Sequence, residues 1–255
     1  MNIFISGITG KVGKLIATAL IVDKSLKLVG GSCSEKNINL GKDIALLVGK
    51  ENIGINITHN IPKELKIDAI IDFSSPEGSV LALQEAIKRQ IPILIGTTGF
   101  NEDQLETIKN SGQKIPVLFA PNTSQGIALF KEILLKSKDS FTDIKSLCLE
   151  ETHHAEKKDA PSGTALDLQR IVEEIFPNSS VSIESIRKGN NPGEHKLIFS
   201  FESEDLQITH KAKDRNLFSL GALKGIKWLS NKDPGLYSMQ DLSLIHISEP
   251  TRLNP

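Results

Sequence analysis

The chain has 255 residues, a length that fits one large domain or two small ones. Its 30 basic and 31 acidic side chains nearly cancel, so no long-range field attracts nucleic acid or an anionic membrane. The composition, 39% hydrophobic and 24% charged with two cysteines, excludes a disordered chain and a disulfide scaffold. No apolar run approaches the ~18 residues of a membrane span, and no secretory signal opens the sequence. We therefore expect a cytoplasmic protein without nucleic-acid or membrane partners.

The first half alternates short apolar runs with amphipathic stretches, the pattern of a parallel sheet with crossover helices. The runs predicted as strands are Asn2–Ser6, Lys27–Cys33, Ala69–Phe73, Pro92–Gly96 and Val117–Ala120. The helices predicted between them are Lys11–Val22, Glu77–Arg89 and Glu102–Asn110. Residues 34–67 are less regular and receive no firm assignment.

The pattern changes near Thr123. The predicted elements are a helix Gly126–Lys138, a strand Ile144–Glu150, a polar loop, a helix Ser162–Phe176 with Ser162 as N-cap, strands Val181–Arg187, Lys196–Glu202 and Asp205–Lys211, and a closing helix Leu217–Leu229. Alternating polarity in the last three strands is typical of half-exposed antiparallel pairing. The sequence thus predicts an α/β fold, a Rossmann-type doubly wound parallel sheet with a second, smaller α+β domain.

Residues 245–255 carry no periodicity and follow the preceding segment without a turn signal. We interpret them as a non-native tail, with a natural, poorly ordered terminus as the alternative.

A glycine-rich segment lies at the first strand–helix junction, where Gly7, Gly10 and Gly13 form G-x-x-G-x-x-G. Small residues let the backbone approach a pyrophosphate, and a helix N-terminus offers N–H donors and a partial positive charge. The usual dinucleotide fingerprint is G-x-G-x-x-G, so the motif alone is weak and an ordinary glycine turn is the alternative. Its place at the first strand–helix turn favours a dinucleotide site.

Three further segments fall where dinucleotide contacts are expected. An acid after the second strand favours NAD and a base favours NADP, but Ser34 is followed there by Glu35 and Lys36, so the choice between NADH and NADPH stays open. Gly96-Thr97-Thr98-Gly99 and Ala120-Pro121-Asn122-Thr123 lie at carboxyl ends of predicted parallel strands, where open α/β sheets bind ligands.

The segment from Glu150 to Ala165 places two histidines and two lysines just before a predicted helix. Cationic side chains, together with the N–H groups of Gly163 and Thr164, suit a carboxylate or phosphate, and His and Lys can also do acid–base work. The alternatives are a solvated charged loop and a zinc site. No paired cysteine or H-E-x-x-H accompanies the His-His pair, so we expect no metal. The loop around His195 is predicted to cover the same cleft, to be an exposed turn or to form an oligomer contact.

Several segments together resemble the 4-hydroxy-tetrahydrodipicolinate reductase (dihydrodipicolinate reductase) family. They are GITGKVG at 7–13, IDFSSPEGS at 71–79, GTTGF at 96–100, ETHHAEKKDAPSGTA at 151–165, SIRKGNNPGEH at 185–195, ITHKAKDRNLFSLGA at 208–222 and GLYSMQDL at 235–242. The chain departs from the family at Ser34-Glu35-Lys36, where an acid followed by a base is common, and at Thr123, where Phe or Met is common.

The resemblance implies a reductase that uses NADH and/or NADPH to reduce the dicarboxylate 4-hydroxy-tetrahydrodipicolinate to tetrahydrodipicolinate, on the diaminopimelate route to lysine. It implies a homotetramer, with a dinucleotide domain of residues 1–123 plus 222–255 around a substrate domain of residues 124–221. His153 would be the acid–base residue and Lys157 the proton donor, and His154, Gly163 and Thr164 would bind substrate carboxylates. The cofactor residues would be Gly7, Ile8, Thr9, Gly10, Lys11, Val12, Ser34, Glu35, Gly96, Thr97, Thr98, Ala120, Pro121, Asn122 and Thr123.

Two rival functions remain at this point: another small-substrate dehydrogenase, and a catalytically silent nucleotide sensor. The ETHHAEKKDAPSGTA string argues against the first, and the presence of His153 and Lys157 argues against the second.

Overall fold

The computed structural model describes residues 1–244. By their internal contacts these residues form two compact units, one of Met1–Thr123 with a return that begins at Phe218, the other of Ser124–Leu217. The predicted domain limits put that return at 222 and stay a prediction. The tail proposed for 245–255 lies outside the described residues. Within them, no helix is long and apolar enough to cross a membrane.

The first unit alternates strands and helices. In chain order its elements are β1 (Asn2–Ser6), α1 (Lys11–Val22), β2 (Lys27–Ser32), α2 (Ile44–Leu47), β3 (Ile57–Thr58), β4 (Ala69–Asp72), α3 (Pro76–Arg89), β5 (Ile93–Ile95), α4 (Glu102–Ser111) and β6 (Pro116–Phe119).

The second unit follows, and the chain then returns to the first. The elements of the second unit are α5 (Gln125–Ser137), a 3-10 turn Lys138–Ser140, β7 (Ser146–His153), α6 (Gly163–Ile175), β8 (Val181–Arg187), β9 (Glu194–Ser200) and β10 (Asp205–Lys211). The return consists of α7 (Asn216–Leu229), β11 (Gly235–Tyr237) and α8 (Met239–Leu244).

The first sheet has the strand order β11-β6-β5-β4-β1-β2-β3, and its neighbouring strands pair in parallel. Strands β4 and β5 are buried along their whole length, as strands covered by helices on both faces must be. The chain order reverses between β1 and β4. In open α/β sheets ligands bind outside the carboxyl ends of the strands at such a switch point.

The second sheet has the order β10-β9-β7-β8. Leu147 and Leu149 on β7 and Phe199 on β9 pack, with α5 and α6, into one apolar core. Side chains alternate across a strand, so the opposite face carries Cys148 and Ile198, which are half-buried.

The predicted fold class is confirmed, and the predicted elements are present with ends that shift by a few residues. Three details were wrong. Strand β7 runs to His153 rather than ending at Glu150, because Glu151 and His153 continue its buried face. Strand β8 has the predicted bounds but pairs with β7 in parallel, since α6 forms a crossover between them. His195 lies within β9, not in a loop.

Candidate active site

An open cleft of about 730 Å³ lies at the carboxyl ends of the first unit's strands. Its wall includes Gly7, Thr9 and Gly10 after β1, Cys33 and Ser34 after β2, His59, Asn60 and Lys63 after β3, and Phe73, Ser74 and Ser75 after β4. We call it the strand-tip cleft. It straddles the switch point and is large enough for part of a dinucleotide.

The glycine loop fits a close approach by a ligand, but its glycines differ in role. Gly7 has φ +80°, and a Cβ there would lie 2.3 Å from the carbonyl oxygen of Phe73. A Cβ on Gly13 would lie 2.3 Å from the carbonyl oxygen of Gly7. A Cβ on Gly10 meets nothing nearer than that same oxygen, at 3.2 Å. Gly7 and Gly13 therefore shape the turn itself, whereas the space beside Gly10 belongs to the cleft.

The N–H donors of this loop are also divided. The N–H groups of Gly7 and Ile8 both donate to the carbonyl of Ser32 at 3.0 Å, and the Ile8 side chain is fully buried. These two residues thus hold β1 to β2, and their N–H groups are not available to a phosphate. Helix α1 starts after Gly10 with no side-chain cap, which leaves first-turn donors at Lys11 and Val12. The positive end of α1 is the phosphate site that the geometry offers.

We expect Gly10→Val to weaken nicotinamide-nucleotide binding at least tenfold, about 1.4 kcal/mol. The added isopropyl group would occupy the cleft beside α1, with its Cβ 3.2 Å from the carbonyl oxygen of Gly7. Calorimetry with NADH and NADPH measures the effect, and an unchanged melting temperature would show that the loop still folds. Equal affinity in the variant and the parent would remove this loop from the binding site.

A buried carboxylate organises the tips of β4 and β5. Asp72 has no exposed surface and accepts hydrogen bonds from Ser79 Oγ, from Ser74 Oγ at 2.5 Å and from Thr97 Oγ1 at 2.6 Å. Thr97 Oγ1 also accepts the N–H of Ser74 at 2.9 Å. The hydroxyl of Thr97 is therefore committed inside the protein, so any contact of this residue with a nucleotide must come from its backbone.

The other predicted cofactor residues lie at the same edge of the sheet. Gly96 is buried, with Phe73 so close that a Cβ would lie 2.2 Å from its ring, whereas Thr98 is exposed. Ala120 follows β6 and donates its N–H to Ile95 at 2.8 Å, and the segment 120–123 continues from it. Thr123 is buried, and its hydroxyl donates to the carbonyl of Phe218 at 2.8 Å. That hydroxyl is tied to α7, and a contact of Thr123 with the nucleotide stays a prediction.

Of the cofactor residues predicted after β2, one lines the strand-tip cleft, and the part of Glu35 in recognition stays a prediction. Ser34 lines the cleft, but Glu35 and Lys36 are not among its described lining residues. Lys63, which the sequence reading missed, does line it. Arg89 holds the backbone beneath it, donating from Nη1 to the carbonyl of Leu65 at 2.8 Å and from Nη2 to that of Pro62 at 2.9 Å. No sequence signal marked Lys63, because it lies in the irregular region 34–67.

The second unit contains a buried polar group that we call the histidine cluster: Glu151, His153, Arg187 and His195. Glu151 accepts the Nδ1–H of His153 on one carboxylate oxygen, and Arg187 Nη2 (2.6 Å) and the Ser162 N–H (3.3 Å) donate to the other. The rings of His153 and His195 lie edge to face with centroids 5.3 Å apart. The pairing of β7 with β8 and β9 brings these residues together.

Burial and neighbouring charges set the proton affinities in this cluster. Burial alone would raise the pKa of Glu151, but hydrogen bonds led by that of Arg187 outweigh it and hold this pKa at about 2. Burial lowers the pKa of His153, against the opposing effect of Glu151. Burial also lowers the pKa of His195, to about 3. At neutral pH, Glu151 is ionised and both imidazoles are neutral.

The remaining predicted residues border this cluster. Lys157 Nζ donates to both carboxylate oxygens of Asp159 at 2.8 Å, and this bond lowers the pKa of Asp159. Arg215 Nη2 donates to His154 Nε2 at 3.2 Å. Helix α6 begins at Gly163, capped by Ser162, and a Cβ on Gly163 would meet nothing within 4 Å. The start of α6 at Gly163 is a helix N-terminus with space around it, which suits a carboxylate.

Glu151, His153 and His195 also bring three potential metal-ligand atoms within 4.8 Å of one another. Each carboxylate oxygen of Glu151 already accepts from a protein donor, and one of these donors is the cationic Arg187. A cation would have to displace those bonds and face the guanidinium, so the arrangement favours an ion pair over a metal site. The prediction of no metal stays a prediction.

Two family models match the chain: "Dihydrodipicolinate reductase, N-terminus" over residues 1–123 and "Dihydrodipicolinate reductase, C-terminus" over residues 126–242. The 4-hydroxy-tetrahydrodipicolinate reductase of Wigglesworthia glossinidia brevipalpis is 38% identical, over 95% of this chain and 92% of the relative. That of Buchnera aphidicola subsp. Cinara cedri (strain Cc) is 35% identical, over 94% of this chain and 96% of the relative.

Solved structures share the fold. Dipicolinate-bound dihydrodipicolinate reductase from Paenisporosarcina sp. TG-14 superposes with a TM-score of 0.78 at 20% identity, covering 95% of this chain and 99% of that one. An amine dehydrogenase from Mycobacterium smegmatis reaches 0.68 at 9% identity, covering 94% and 95%. Different oxidoreductases thus use this architecture, and the fold alone does not choose among them.

The family models and the named relatives make this chain a pyridine-nucleotide-dependent oxidoreductase, and its Rossmann-type sheet with a cleft at the switch point fits that class. Within that class, this chain belongs to the dihydrodipicolinate reductase family, because the two family models match nearly all of its described residues. The predicted family and the predicted enzyme class are confirmed.

Proposed function

We propose that this chain reduces 4-hydroxy-tetrahydrodipicolinate to tetrahydrodipicolinate with NADH or NADPH, on the diaminopimelate route to lysine. The observation that carries the substrate assignment is the start of α6 at Gly163, because the N-terminus of a helix suits a carboxylate and the space around Gly163 is open. The family membership supports the same assignment, and the relatives' names supply the substrate.

The residues of the second unit have distinct roles in this proposal. His154, Gly163 and Thr164 bind the substrate carboxylates. Lys157 and His153 stabilise the negative charge that builds up on the conjugated ring during reduction and hold the proton that completes the reaction. A substrate carboxylate competes with Asp159 for Lys157, so binding frees the ammonium from its internal ion pair.

In this proposal the nucleotide binds in the strand-tip cleft. The open start of α1 binds its pyrophosphate, and the tips of β5 and β6 contact its nicotinamide end. The bound nucleotide supplies the hydride. The protein's part is to hold the ring and exclude other reactions, which Asp72 serves by fixing the backbone around Thr97.

A direct test is an absorbance assay of NADH or NADPH oxidation with substrate made enzymatically just before use. We expect turnover with this substrate, and no reduction of NAD⁺ or NADP⁺ when aspartate or inositol is supplied in the oxidative direction. Turnover of those alternatives without turnover of the dicarboxylate would reject the function. Binding of nucleotide without any turnover would support the silent sensor.

Both nucleotides should be used, and Lys63 should favour NADPH. Ser34, which lines the cleft after β2, carries no carboxylate that would repel a 2′-phosphate, and Lys63 lines the same cleft. We expect Lys63→Ala to raise the KM for NADPH about tenfold more than the KM for NADH. Lys66→Ala is the matched control, because Lys66 is exposed and does not line the cleft. Equal changes for both nucleotides would assign Lys63 no part in discrimination.

A homotetramer in the cytoplasm is part of the same proposal. The face of the second sheet opposite α5 and α6 is half-exposed and carries Cys148 and Ile198, which suits burial against another copy. Sedimentation velocity on the purified chain tests the assembly.

A further inference from the structure

We propose that Glu151, held in place by Arg187, is a positioning residue that fixes which ring nitrogen of His153 faces the reacting molecule. This inference rests on the proposed function, in which His153 does acid–base work. The geometry that carries it is the arrangement of donors around one buried carboxylate.

Glu151 has no exposed surface, and its two oxygens are used differently. One oxygen accepts from Arg187 Nη2 and from the Ser162 N–H, while the other faces His153 Nδ1. An ionised carboxylate can only accept hydrogen bonds, so the proton of the neutral imidazole must lie on Nδ1. Nε2 of His153 then carries the lone pair.

Arg187 prevents Glu151 from turning away. Its Nη2 also donates to the carbonyl of Asp159 at 2.6 Å, and its Nη1 donates to the carbonyl of Ile186 at 2.9 Å. The guanidinium is therefore anchored on main-chain atoms of β8 and of the loop before α6. Because the Glu151 carboxylate is held in one orientation, it always faces Nδ1 of His153, and this keeps the imidazole in one tautomer.

The other ring nitrogen of His153, Nε2, is bordered by a glycine. Gly193, with φ +151°, borders that edge, and a Cβ there would lie 3.0 Å from His153 Nε2. A larger residue would press on this nitrogen. Gly193 thus places no side-chain atom of its own at the Nε2 edge, while Glu151 secures Nδ1.

The charges facing His153 come from three directions. Glu151 on the same strand raises its pKa, whereas Lys157 in the following loop and Arg187 on β8 lower it. His195 on β9 is neutral at neutral pH because burial lowers its own pKa to about 3. Removing the charge of Glu151 should therefore lower the pKa of His153, and removing the charge of Arg187 should raise it. A purely structural contribution of these residues to folding does not predict such opposite changes.

The experiment is nitrogen-15 NMR of the histidine rings in the full-length protein without substrate, across a pH titration. In the parent, His153 should be the Nδ1–H tautomer. In Glu151→Gln, the amide oxygen should take the place facing Arg187 and Ser162, so the amide NH₂ donates to Nδ1 and the ring switches to Nε2–H. The pKa of His153 should fall by ~1 unit in Glu151→Gln and rise in Arg187→Met.

Glu150→Gln is the matched control. Glu150 is adjacent on β7 but lies on the opposite face of the sheet, paired with Lys196, and its substitution should leave both tautomer and pKa unchanged. In the reductase assay, kcat of Glu151→Gln should fall ~10²–10⁴-fold, as for a lost general acid–base group, with the KM for nucleotide unchanged.

The Nε2–H tautomer in the parent would overturn the inference without any variant. So would an unmoved His153 pKa in either substituted protein, and if Glu151→Gln fails to fold, Arg187→Met still supplies this measurement. These readouts need no substrate. A parent that shows the predicted tautomer and titration but reduces nothing would therefore reject the proposed function and leave this inference standing.

Discussion

Replacing Lys157 by alanine should lower turnover ~10²–10⁴-fold, the usual contribution of a general acid–base group. The Lys157 ammonium is only partly exposed, with a side-chain exposure of 21%, and its described partner is the exposed Asp159. Its charge acts on electron density that appears as reduction proceeds, so its loss should affect the transition state more than nucleotide binding. Steady-state kinetics and NADH calorimetry measure the two separately.

Lys158→Ala is the internal control for this prediction. Lys158 is the next residue but is exposed and makes no ion pair among the described residues. Its replacement should leave turnover near the parent's, and both variants should keep the parent's melting temperature. If the two substitutions reduced turnover equally, the loop would act only through its total positive charge, and the role given to Lys157 would be withdrawn.

Acidification should destabilise the second unit well above the pH range in which carboxylates titrate. The folded protein holds His195 neutral down to about pH 3, whereas the unfolded chain takes up the proton near 6.5. Below pH 6.5 the unfolded state therefore binds more protons, and the free energy of unfolding falls by about 1.4 kcal/mol per pH unit. Because burial also lowers the pKa values of His153 and His210, these histidines act in the same direction.

The measurement is the melting temperature between pH 7 and 4.5. This window lies above the range in which Glu151, with its lowered pKa, begins to lose its own stabilising contribution. From His195 alone, the fall should reach about 3 kcal/mol over two pH units, roughly 6–12 °C in melting temperature.

His195→Leu should flatten this pH dependence whatever it does to stability at pH 7. His59→Leu is the control, because His59 is exposed in the first unit. A slope that survives in His195→Leu would show that the neutral buried ring is not the source of the acid sensitivity.

The sequence was sufficient to predict the first sheet because its strands are apolar runs separated by clear breaks. Strand β4 shows this, since all of its residues are buried and its helix α3 starts with a Ser75 cap and Pro76. The N-cap at Ser162 was predicted for the same local reasons. Local signals of this kind depend only on neighbouring residues.

The site required long-range information. Nothing in the sequence shows that Glu151 and His153 turn inward, because buried positions of a strand are normally apolar and these are polar. Arg187 joins them only through the parallel pairing of β7 with β8, and alternating polarity cannot distinguish parallel from antiparallel neighbours. Likewise, the N–H groups of Gly7 and Ile8 are committed to Ser32, a bond between neighbouring strands that a motif cannot reveal.

Successive side chains of β7 point to opposite faces of the sheet, and this restricts where residues can be inserted or deleted in the chain. Cys148 and Glu150 lie on one face of the sheet, and Leu149, Glu151 and His153 lie on the other. A single-residue insertion or deletion between Cys148 and Glu151 would exchange the two faces beyond it, exposing the acid–base pair and burying its neighbours. Two residues could be inserted without changing sides, and the loop between His153 and Gly163 carries no such parity constraint. Natural length variation should therefore be absent from this strand.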